Sequence, residues 1–295
     1  MEAVTLERLN AAEGGQFVAA LGDVFEHTPC VAETIQAKRP FPTLAALYAA
    51  MIEAVRSAEP AWRLALIRAH PDLAGKAARA GAMTSDSTAE QASAGLDRLS
   101  EQEFTRFHRL NDAYRKKFGI PFIVCVRRHT KDSILRQFER RLQHDQAAES
   151  EAALAEIFRI VALRLDQRVS APDRLNVHGR LSTHVLDTRS GCPAEDVAVE
   201  LVEKSDGGGA RVVARAHTNR DGRTDRPLIA ERPVPIGRYE LRFAIGEYFA
   251  RRDPDLADPP FLDVVPVRFS VAEPEAHYHV PLLVTPWSYS TYRGS

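Results

Sequence analysis

A histidine followed by a proline is the first feature of this sequence that can do chemistry. It lies in the stretch Ala69-His70-Pro71-Asp72-Leu73. Pro71 disfavours helical backbone angles at the residue before it, so we expect a helix to end near His70 and its side chain to face a cleft. An imidazole titrates near neutral pH and can give or take a proton there. The same dipeptide is also an ordinary helix-ending turn, so alone it does not indicate an enzyme.

Two more segments of the first half carry polar or extended features. In Ser87-Thr88-Ala89-Glu90-Gln91, either Ser87 or Thr88 is expected to cap a helix. Glu90 then falls in the first turn, where the helix dipole favours a carboxylate. The run Phe118-Gly119-Ile120-Pro121-Phe122-Ile123-Val124 is apolar and extended. Taken separately, the first is an ordinary helix start and the second is core.

The second half carries three histidines and an arginine on strand and turn patterns. Residues 179–188 predict a strand in which His184 alternates with Ser182 and Leu186. His277-Tyr278-His279 places two imidazoles on one face of another strand. A turn signal, Thr218-Asn219-Arg220-Asp221-Gly222-Arg223, carries a basic side chain.

These three imidazoles allow two kinds of chemistry. They are a familiar catalytic zinc set. Alternatively, neutral imidazoles act as general bases beside Arg223, whose charge opposes a dication in the same pocket. Edge-strand histidines without any function are a third reading of the same pattern.

Helical periodicity surrounds the first group of residues. Apolar side chains at spacings of three and four predict a helix, and they are Leu44, Leu47, Tyr48, Met51 and Val55. Ser100 with Glu103 has the spacing of a capping box, and Thr130 is a candidate cap for a later helix. The pattern continues to about Val169, so the first half is predicted to be all-helical.

The pattern changes near Ser170-Ala171-Pro172. Beyond it, Val197, Val199 and Leu201 alternate, as do Tyr239, Leu241 and Phe243, which is typical of strands. Short strands with turn signals between them predict an antiparallel sandwich. We therefore divide the chain into an all-α domain, residues 1–170, and an all-β sandwich domain, residues 177–295.

Composition excludes several classes of protein. The chain has 295 residues, 27% of them charged, with a formal net charge of −1, which gives no reason to expect a nucleic-acid or anionic-membrane partner. Three widely spaced cysteines predict no disulfide framework and favour a reducing compartment. No apolar run reaches the roughly 20 residues of a membrane helix. The first ten residues lack the apolar centre of a secretory signal. We expect a cytoplasmic protein.

Residues 5–169 resemble the 2-oxo-4-hydroxy-4-carboxy-5-ureidoimidazoline (OHCU) decarboxylase family. Three ordered motifs carry the resemblance: His-Pro-Asp-Leu-Ala-Gly-Lys, Ser-x-x-Glu-Gln-x-x-Ala-Gly-Leu-Asp, and Phe-Gly-Ile-Pro-Phe-Ile. The resemblance implies an all-helical fold and a decarboxylation to (S)-allantoin without a cofactor or metal. It places the catalytic residues on His70, Glu90 and Arg164, the last chosen over Arg159 and Arg168. The substrate-binding positions that it implies are Pro71, Ser87, Gln91, Phe122 and Ile123.

Residues 177–295 resemble 5-hydroxyisourate hydrolase, the enzyme branch of the transthyretin family. The motifs are Leu-Ser-Thr-His-Val-Leu-Asp, Thr-Asn-x-Asp-Gly-Arg, His-Tyr-His-x-Pro-Leu-Leu and the last four residues, Tyr-Arg-Gly-Ser. The hormone-carrier branch lacks that tetrapeptide and has a lysine where His184 stands. The resemblance implies a transthyretin-like sandwich with catalytic His184, Arg223 and His279. Tyr292 and Ser295 are expected to contact substrate.

The two resemblances predict consecutive reactions, because hydrolysis of 5-hydroxyisourate yields OHCU. The expected ligands are these small molecules, with no nucleic acid, membrane, cofactor or metal. The resemblances also imply a homo-oligomer, with a decarboxylase dimer and a hydrolase tetramer. Two alternatives stay open: a small-molecule carrier joined to a helical scaffold, or one active and one degenerate half.

Overall fold

The computed structural model of this chain describes residues 3–74 and 84–294. The chain forms two compact units, Met1–Val177 and His178–Ser295, and each is described by itself. In the described part of the chain, no helix is both long enough and apolar enough to cross a membrane.

The first unit is built from helices, as the sequence predicts. Within its described residues these are α1 Leu6–Ala11, α2 Gly14–Leu21, α3 Cys30–Ile35, α4 Leu44–Arg56, α5 Pro60–Arg68, α6 Ser85–Ser93, α7 Glu101–Phe118, α8 Lys131–Arg141 and α9 Gln146–Arg168. Short 3-10 turns lie at Gln36–Lys38 and Val126–Arg128. Two residue pairs depart from the all-helical expectation, since β1 (Val4–Thr5) runs parallel to β2 (Val169–Ser170).

One apolar core fills the helical unit. The stripe predicted for α4 is buried through Leu44, Leu47, Met51 and Val55. The long helix α9 crosses this core and buries residues on most of its circumference. Such a helix can hold a polar side chain away from water only where other polar groups satisfy it, and this condition shapes the site around Arg164.

Helix starts follow the predicted capping chemistry with one exception. Ser100 and Glu103 form the capping box of α7, and Thr130 caps α8. The exception is α6, which is capped by Thr84 and not by Ser87 or Thr88. Glu90 therefore lies in the second turn of α6 rather than the first. The prediction failed because several residues of the stretch 84–88 are good caps.

The second unit is a two-sheet sandwich. Its strands are β3 Gly179–Asp187, β4 Cys192–Pro193, β5 Ala198–Lys204, β6 Ala210–His217, β7 Ile229–Arg232, β8 Gly237–Ala244, β9 Val264–Val271, β10 His277–Val284 and β11 Tyr289–Thr291. One helix, α10 (Ile245–Arg252), follows β8. The first sheet has the order β11-β10-β3, with β4 and β7 both pairing with β3, and the second has the order β6-β5-β8-β9.

The pairing of β3 with β10 corrects the expectation of a purely antiparallel sandwich, because these two strands run parallel. Their register sets His279 beside Ser182 and Pro281 beside His184. Side chains of both sheets join one apolar cluster, which includes the predicted pairs Val199 with Leu201 and Leu241 with Phe243.

Candidate active sites

His70 follows α5 by two residues and is buried, with 7% of its surface exposed. Its Nδ1 lies 3.0 Å from the carbonyl oxygen of Leu66. A carbonyl can only accept a hydrogen bond, so Nδ1 carries the proton in the neutral ring and Nε2 has the free lone pair. Burial lowers the pKa of His70 to about 4, against the hydrogen bond to Leu66 and the charge of Glu26, which raise it. The imidazole is therefore neutral at pH 7, so it can accept a proton at Nε2 before it can donate one.

Glu90 and Arg164 meet in a two-pronged ion pair. Arg164 Nε lies 2.9 Å from one oxygen of Glu90, and Nη2 lies 2.9 Å from the other. The arginine comes from α9 and the carboxylate from α6, so the pair joins two helices that are far apart in sequence. The planar fork of a guanidinium matches a carboxylate in this geometry.

The remaining N–H groups of Arg164 also have acceptors. Nη1 donates to the carbonyl oxygen of Val24 at 3.4 Å and to Glu26 at 3.1 Å, and Nη2 donates to Ser87 Oγ at 3.2 Å. A guanidinium has five N–H donors. All five are engaged, so Arg164 can bind a substrate anion through two N–H groups only after Glu90 moves away.

Glu26 is a site residue that the sequence did not reveal. Its carboxylate is buried and accepts hydrogen bonds from Thr84, Ser87 and Arg164 at 2.8, 3.0 and 3.1 Å. Burial alone would raise the pKa of Glu26, but these hydrogen bonds and the Arg164 charge hold it below its usual value. Its segment after α2 has no helical or strand periodicity, and the only signal was an acidic residue directly after two apolar ones.

One cavity brings together the residues proposed for the helical unit. Its empty volume, with the open mouth included, is about 370 Å³. All eight candidate residues of this unit line it, and they are His70, Pro71, Ser87, Glu90, Gln91, Phe122, Ile123 and Arg164. Leu73, Val124, Val126 and Ile160 supply more of the apolar wall.

A buried arginine holds the apolar wall of this cavity. Arg141 donates from Nη1 to the carbonyl oxygen of Ile123 at 2.6 Å, and its guanidinium carbon lies 4.6 Å from the centre of the Phe122 ring. The same arginine is paired with buried Glu149. The extended run of the sequence is therefore a fixed wall with one polar anchor behind it.

In the second unit, a tight turn fixes His184. Asn219 Oδ1 accepts from the backbone N–H groups of Asp221 and Arg223 at 3.0 and 3.2 Å. Gly222 has a φ of +70°, and a Cβ there would lie 2.3 Å from the carbonyl oxygen of Val185. Only glycine fits so close an approach. The turn thereby sets Arg223 directly across from His184.

The two nitrogens of His184 have different surroundings. One ring nitrogen of His184 forms a hydrogen bond with the backbone of Asp221, and this bond raises the pKa of His184. A bond that favours the protonated ring has the ring N–H as donor and a carbonyl oxygen as acceptor. Nε2 is buried and has no hydrogen-bond partner among the described residues. Burial, followed by the charge of Arg223, nevertheless holds the pKa of His184 below its ordinary value. His184 thus presents an unprotonated Nε2 at neutral pH.

His279 lies near His184, with 6.5 Å between the ring centres. Its Nδ1 is 3.0 Å from Ser182 Oγ, and the same hydroxyl is 2.9 Å from Nε2 of His277. On the other side, the backbone of Gly294 packs against the ring, where a Cβ would lie 2.8 Å from Cδ2. Burial first, and then Arg223, lower the pKa of His279.

The structure places the other candidate residues as follows. Arg223 is exposed, and its charge acts on both His184 and His279. Tyr292 is 59% exposed and lies two residues before Gly294. Ser295 lies outside the described residues.

The zinc alternative requires three imidazole nitrogens that converge on one point. A serine hydroxyl stands between His277 and His279 instead. Residues 3–74 and 84–294 contain no group of three or more histidine, cysteine, aspartate or glutamate side chains arranged to hold a metal ion.

The fold and the two sites are those of a two-domain enzyme. A profile of the OHCU decarboxylase family matches residues 10–166, and a profile of the HIUase/Transthyretin family matches residues 181–294. The chain belongs to the OHCU decarboxylase family through its helical unit and to the HIUase/Transthyretin family through its strand-rich unit.

Individual relatives agree with both assignments. The chain is 42% identical over 171 residues to 2-oxo-4-hydroxy-4-carboxy-5-ureidoimidazoline decarboxylase of Haloferax volcanii, covering 58% of this chain and 99% of that protein. It is 52% identical over 117 residues to 5-hydroxyisourate hydrolase of Ralstonia nicotianae, covering 40% of this chain and 99% of that protein. A crystal structure of (S)-allantoin synthase is 36% identical, covers 99% of this chain and 100% of that one, and gives a TM-score of 0.53.

Proposed function

We propose that this chain catalyses two consecutive steps of urate degradation. The strand-rich unit hydrolyses 5-hydroxyisourate to OHCU, and the helical unit decarboxylates OHCU to (S)-allantoin. The main observation behind the proposal is the cavity of the helical unit, which His70, Glu90 and Arg164 line together. In the strand-rich unit, the rings of His184 and His279 lie close to each other. The similarity to (S)-allantoin synthase over 99% of the chain supports both steps in one molecule.

Decarboxylation of OHCU needs no metal or pyridoxal, because the ring itself can accept the electron pair. As CO2 leaves C4, the electron pair of the broken bond forms a C4–C5 double bond, and the ring nitrogen of the former C=N bond takes up a proton from water. The product is an enol, whose hydroxyl proton must depart while a proton arrives at C5. Neutral His70 suits this transfer, since its free Nε2 can take the hydroxyl proton and then deliver a proton to one face of C5. Delivery from one fixed side accounts for a single enantiomer.

Glu90 and Arg164 act on substrate as a unit in this proposal. When OHCU enters, its carboxylate takes donors of Arg164 that Glu90 occupies in the free site. The displaced Glu90 carboxylate is then available to accept hydrogen bonds from the ureido N–H groups. Glu26 stays behind and keeps Arg164 in place.

The walls of the cavity determine which ring fits. Phe122 and Ile123 line the cavity with apolar side chains, and Arg141 holds the backbone of Ile123. Pro71, Gln91 and Ser87 also line the cavity, the last two with polar side chains. These five positions are proposed to bind substrate.

Hydrolysis of 5-hydroxyisourate requires attack of water on a carbonyl at an N–C(O) bond. We assign the general base to His184, because its Nε2 has a free lone pair and its other nitrogen is held by a carbonyl. The exposed guanidinium of Arg223 stabilises the oxygen that becomes negative. His279 donates the proton that the departing ring nitrogen needs. Tyr292 and Ser295 complete the proposed substrate contacts.

We also propose that the chain acts as a cytoplasmic homo-oligomer without a cofactor. Sedimentation of the full-length chain at several concentrations tests the oligomeric state. The exposed apolar side chains of the strand-rich unit, among them Trp287 and Tyr289, are consistent with contacts between copies.

The test of the proposed function follows both steps in one cuvette. Urate oxidase generates 5-hydroxyisourate in place, ultraviolet absorbance follows its loss and that of OHCU, and circular dichroism follows (S)-allantoin. The full-length chain is expected to accelerate both losses and to give optically active product. Racemic allantoin formed at the spontaneous rate would contradict the decarboxylase assignment, and unaccelerated loss of 5-hydroxyisourate would contradict the hydrolase assignment.

A further inference from the structure

Ser182 lies between two imidazoles on the outer face of the first sheet. Side chains alternate along a strand, so Ser182 shares with His184 the face opposite to buried Leu181 and Val185. The parallel register sets Ser182 beside His279, and the hydroxyl reaches His279 Nδ1 at 3.0 Å and His277 Nε2 at 2.9 Å. The three groups form a continuous hydrogen-bonded chain.

A serine hydroxyl has one proton, which restricts the direction of this chain. If Ser182 donates to His279 Nδ1, then His277 Nε2–H must donate to Ser182, and His279 carries its proton on Nε2. If Ser182 donates to His277 instead, His279 Nδ1–H donates to Ser182 and its Nε2 is bare. The two arrangements have the same charge. They convert when the proton in each of the two hydrogen bonds moves towards His279, while His279 Nε2 loses a proton and His277 Nδ1 gains one.

The surroundings of His279 make such a shift useful. The groups that act on this ring are Arg223, His277, His184 and Arg180, and each of them disfavours a positive charge there, as burial does. An imidazolium at His279 is therefore a poor starting point for donating a proton. A neutral imidazole can donate from Nε2 only if Nδ1 receives a proton at the same time.

We propose that Ser182 and His277 form a proton relay that supplies His279 during hydrolysis. This proposal rests on the hydrolase function proposed above and names two further residues for it. Ser182 is the connecting group and His277 is the entry point from solvent, since its side chain is exposed. Ser182 and His277 are positioning residues that act through His279.

The proton transfers balance at each atom. As the N–C(O) bond breaks, the Nε2–H bond of His279 breaks and an N–H bond forms on the departing ring nitrogen. The Ser182 O–H proton passes to His279 Nδ1, and the His277 Nε2 proton passes to Ser182. His277 Nδ1 takes a proton from water, so no ring gains or loses net charge. When product leaves, Nε2 of His279 regains a proton from water and the shift reverses.

The experiment uses the full-length chain and measures 5-hydroxyisourate hydrolysis. Ser182→Ala removes the link and is expected to lower kcat about 10–100-fold with KM changed less than about two-fold. Ser182→Thr keeps a hydroxyl and is expected to restore most of kcat. His277→Asn is expected to lower kcat, and the Ser182→Ala/His277→Asn double variant to be no slower than Ser182→Ala, because both changes break the same relay.

A solvent isotope measurement gives a readout that a merely structural role would not change. In mixtures of H2O and D2O, the wild-type kcat is expected to vary along a curve, since several protons move together, and the Ser182→Ala kcat along a straight line. Ser205→Ala and His217→Asn are matched controls at exposed positions of the same unit, and both are expected to match the wild type. Thermal unfolding reports folding in every variant, and OHCU decarboxylation is expected to stay at the wild-type rate because its residues lie in the other unit.

Three results would overturn the relay. One is multiplicative, independent effects of Ser182→Ala and His277→Asn, and another is a straight-line isotope dependence in the wild type. Wild-type kcat in the Ser182→Ala variant is the third. Failure of the wild-type chain to accelerate loss of 5-hydroxyisourate would instead refute the hydrolase function itself, so the two failures are distinguishable.

Discussion

Arg164 gives Nε to one oxygen of Glu90 and Nη2 to the other, at 2.9 Å in both cases. Each residue thus occupies the groups of its partner that a substrate would use. If OHCU binds as proposed, its carboxylate replaces that of Glu90 on Arg164. The two side chains are then expected to act as one functional unit.

This unit can be tested by a double-mutant cycle. Glu90→Gln and Arg164→Lys are each expected to lower OHCU decarboxylation by at least about 10²-fold, since each breaks the two-pronged geometry. The double variant is expected to be little worse than the poorer single variant. Steady-state kinetics on freshly generated OHCU measures this, with Glu59→Gln on an exposed helix end as the control. Independent, multiplicative losses would show that the two residues act separately.

Glu26→Gln tests the buried half of the network. The change leaves Arg164 with a neutral amide in place of a buried carboxylate, which costs about 3–5 kcal/mol of unfolding free energy. Glu151→Gln is the matched control, because its pair with Arg63 at 3.7 Å is exposed and contributes at most about 1 kcal/mol. Urea unfolding gives both values. Equal small effects for the two variants would remove Glu26 from the structural role described here.

His70 predicts a pH dependence of stability. Its pKa is about 4 in the folded chain and 6.5 in the unfolded chain, so the unfolded state binds the proton more tightly. Its contribution is fully present above pH 6.5 and is lost as pH falls to 4, by about 3 kcal/mol. The difference in unfolding free energy between wild type and His70→Asn is expected to change by this amount over that range.

The measurement can isolate the helical unit. The chain has two tryptophans, Trp62 and Trp287, one in each unit. In a Trp287→Phe background, Trp62 fluorescence reports unfolding of the unit that contains His70. His129 is also buried with a pKa of about 4, and subtracting the His70→Asn curve removes its effect. If the difference in unfolding free energy between wild type and His70→Asn does not change between pH 4 and 6.5, the lowered pKa of His70 is contradicted.

We expect single substitutions to remove most of either activity while leaving the other intact. His70→Asn should leave hydrolysis intact and slow decarboxylation by about 10²–10⁴-fold, so that OHCU accumulates and decays to racemic allantoin. His279→Asn should have the opposite effect on 5-hydroxyisourate. Ultraviolet time courses follow 5-hydroxyisourate and OHCU, and circular dichroism distinguishes (S)-allantoin from racemic allantoin. Optically pure (S)-allantoin formed by His70→Asn at the wild-type rate would exclude His70 and direct attention to Glu90.

Local patterns were sufficient to predict much of this molecule. Helix α4 and strand β5 follow from periodicity, because burial of one face leaves a mark every three to four residues or every two. His70 followed from the effect of Pro71 on the preceding backbone. These features are decided by neighbours in sequence, so the sequence displays them directly.

Features decided by distant neighbours were missed. Glu26 matters only because α9 brings Arg164 to it, and nothing near residue 26 records that contact. The parallel pairing of β3 with β10 brings together residues 97 positions apart in sequence, such as Ser182 and His279, and it alone places Ser182 between the two histidines. The start of α6 was misplaced because the stretch 84–88 holds several good caps, and the contacts of Ser87 with Glu26 and Arg164 leave no trace in the local sequence.

The arginines of the two sites differ in exposure, since the Arg164 side chain is 3% exposed whereas Arg223 is open to solvent. At physiological ionic strength, dissolved ions largely screen the interaction between exposed charges that are more than about 8–10 Å apart, whereas they screen buried charges much less. Added salt should therefore weaken the attraction of Arg223 for an anionic substrate and leave the Arg164 network almost unchanged. Raising the ionic strength should therefore slow hydrolysis of 5-hydroxyisourate while decarboxylation of OHCU keeps its rate. The steady-state concentration of OHCU would then fall.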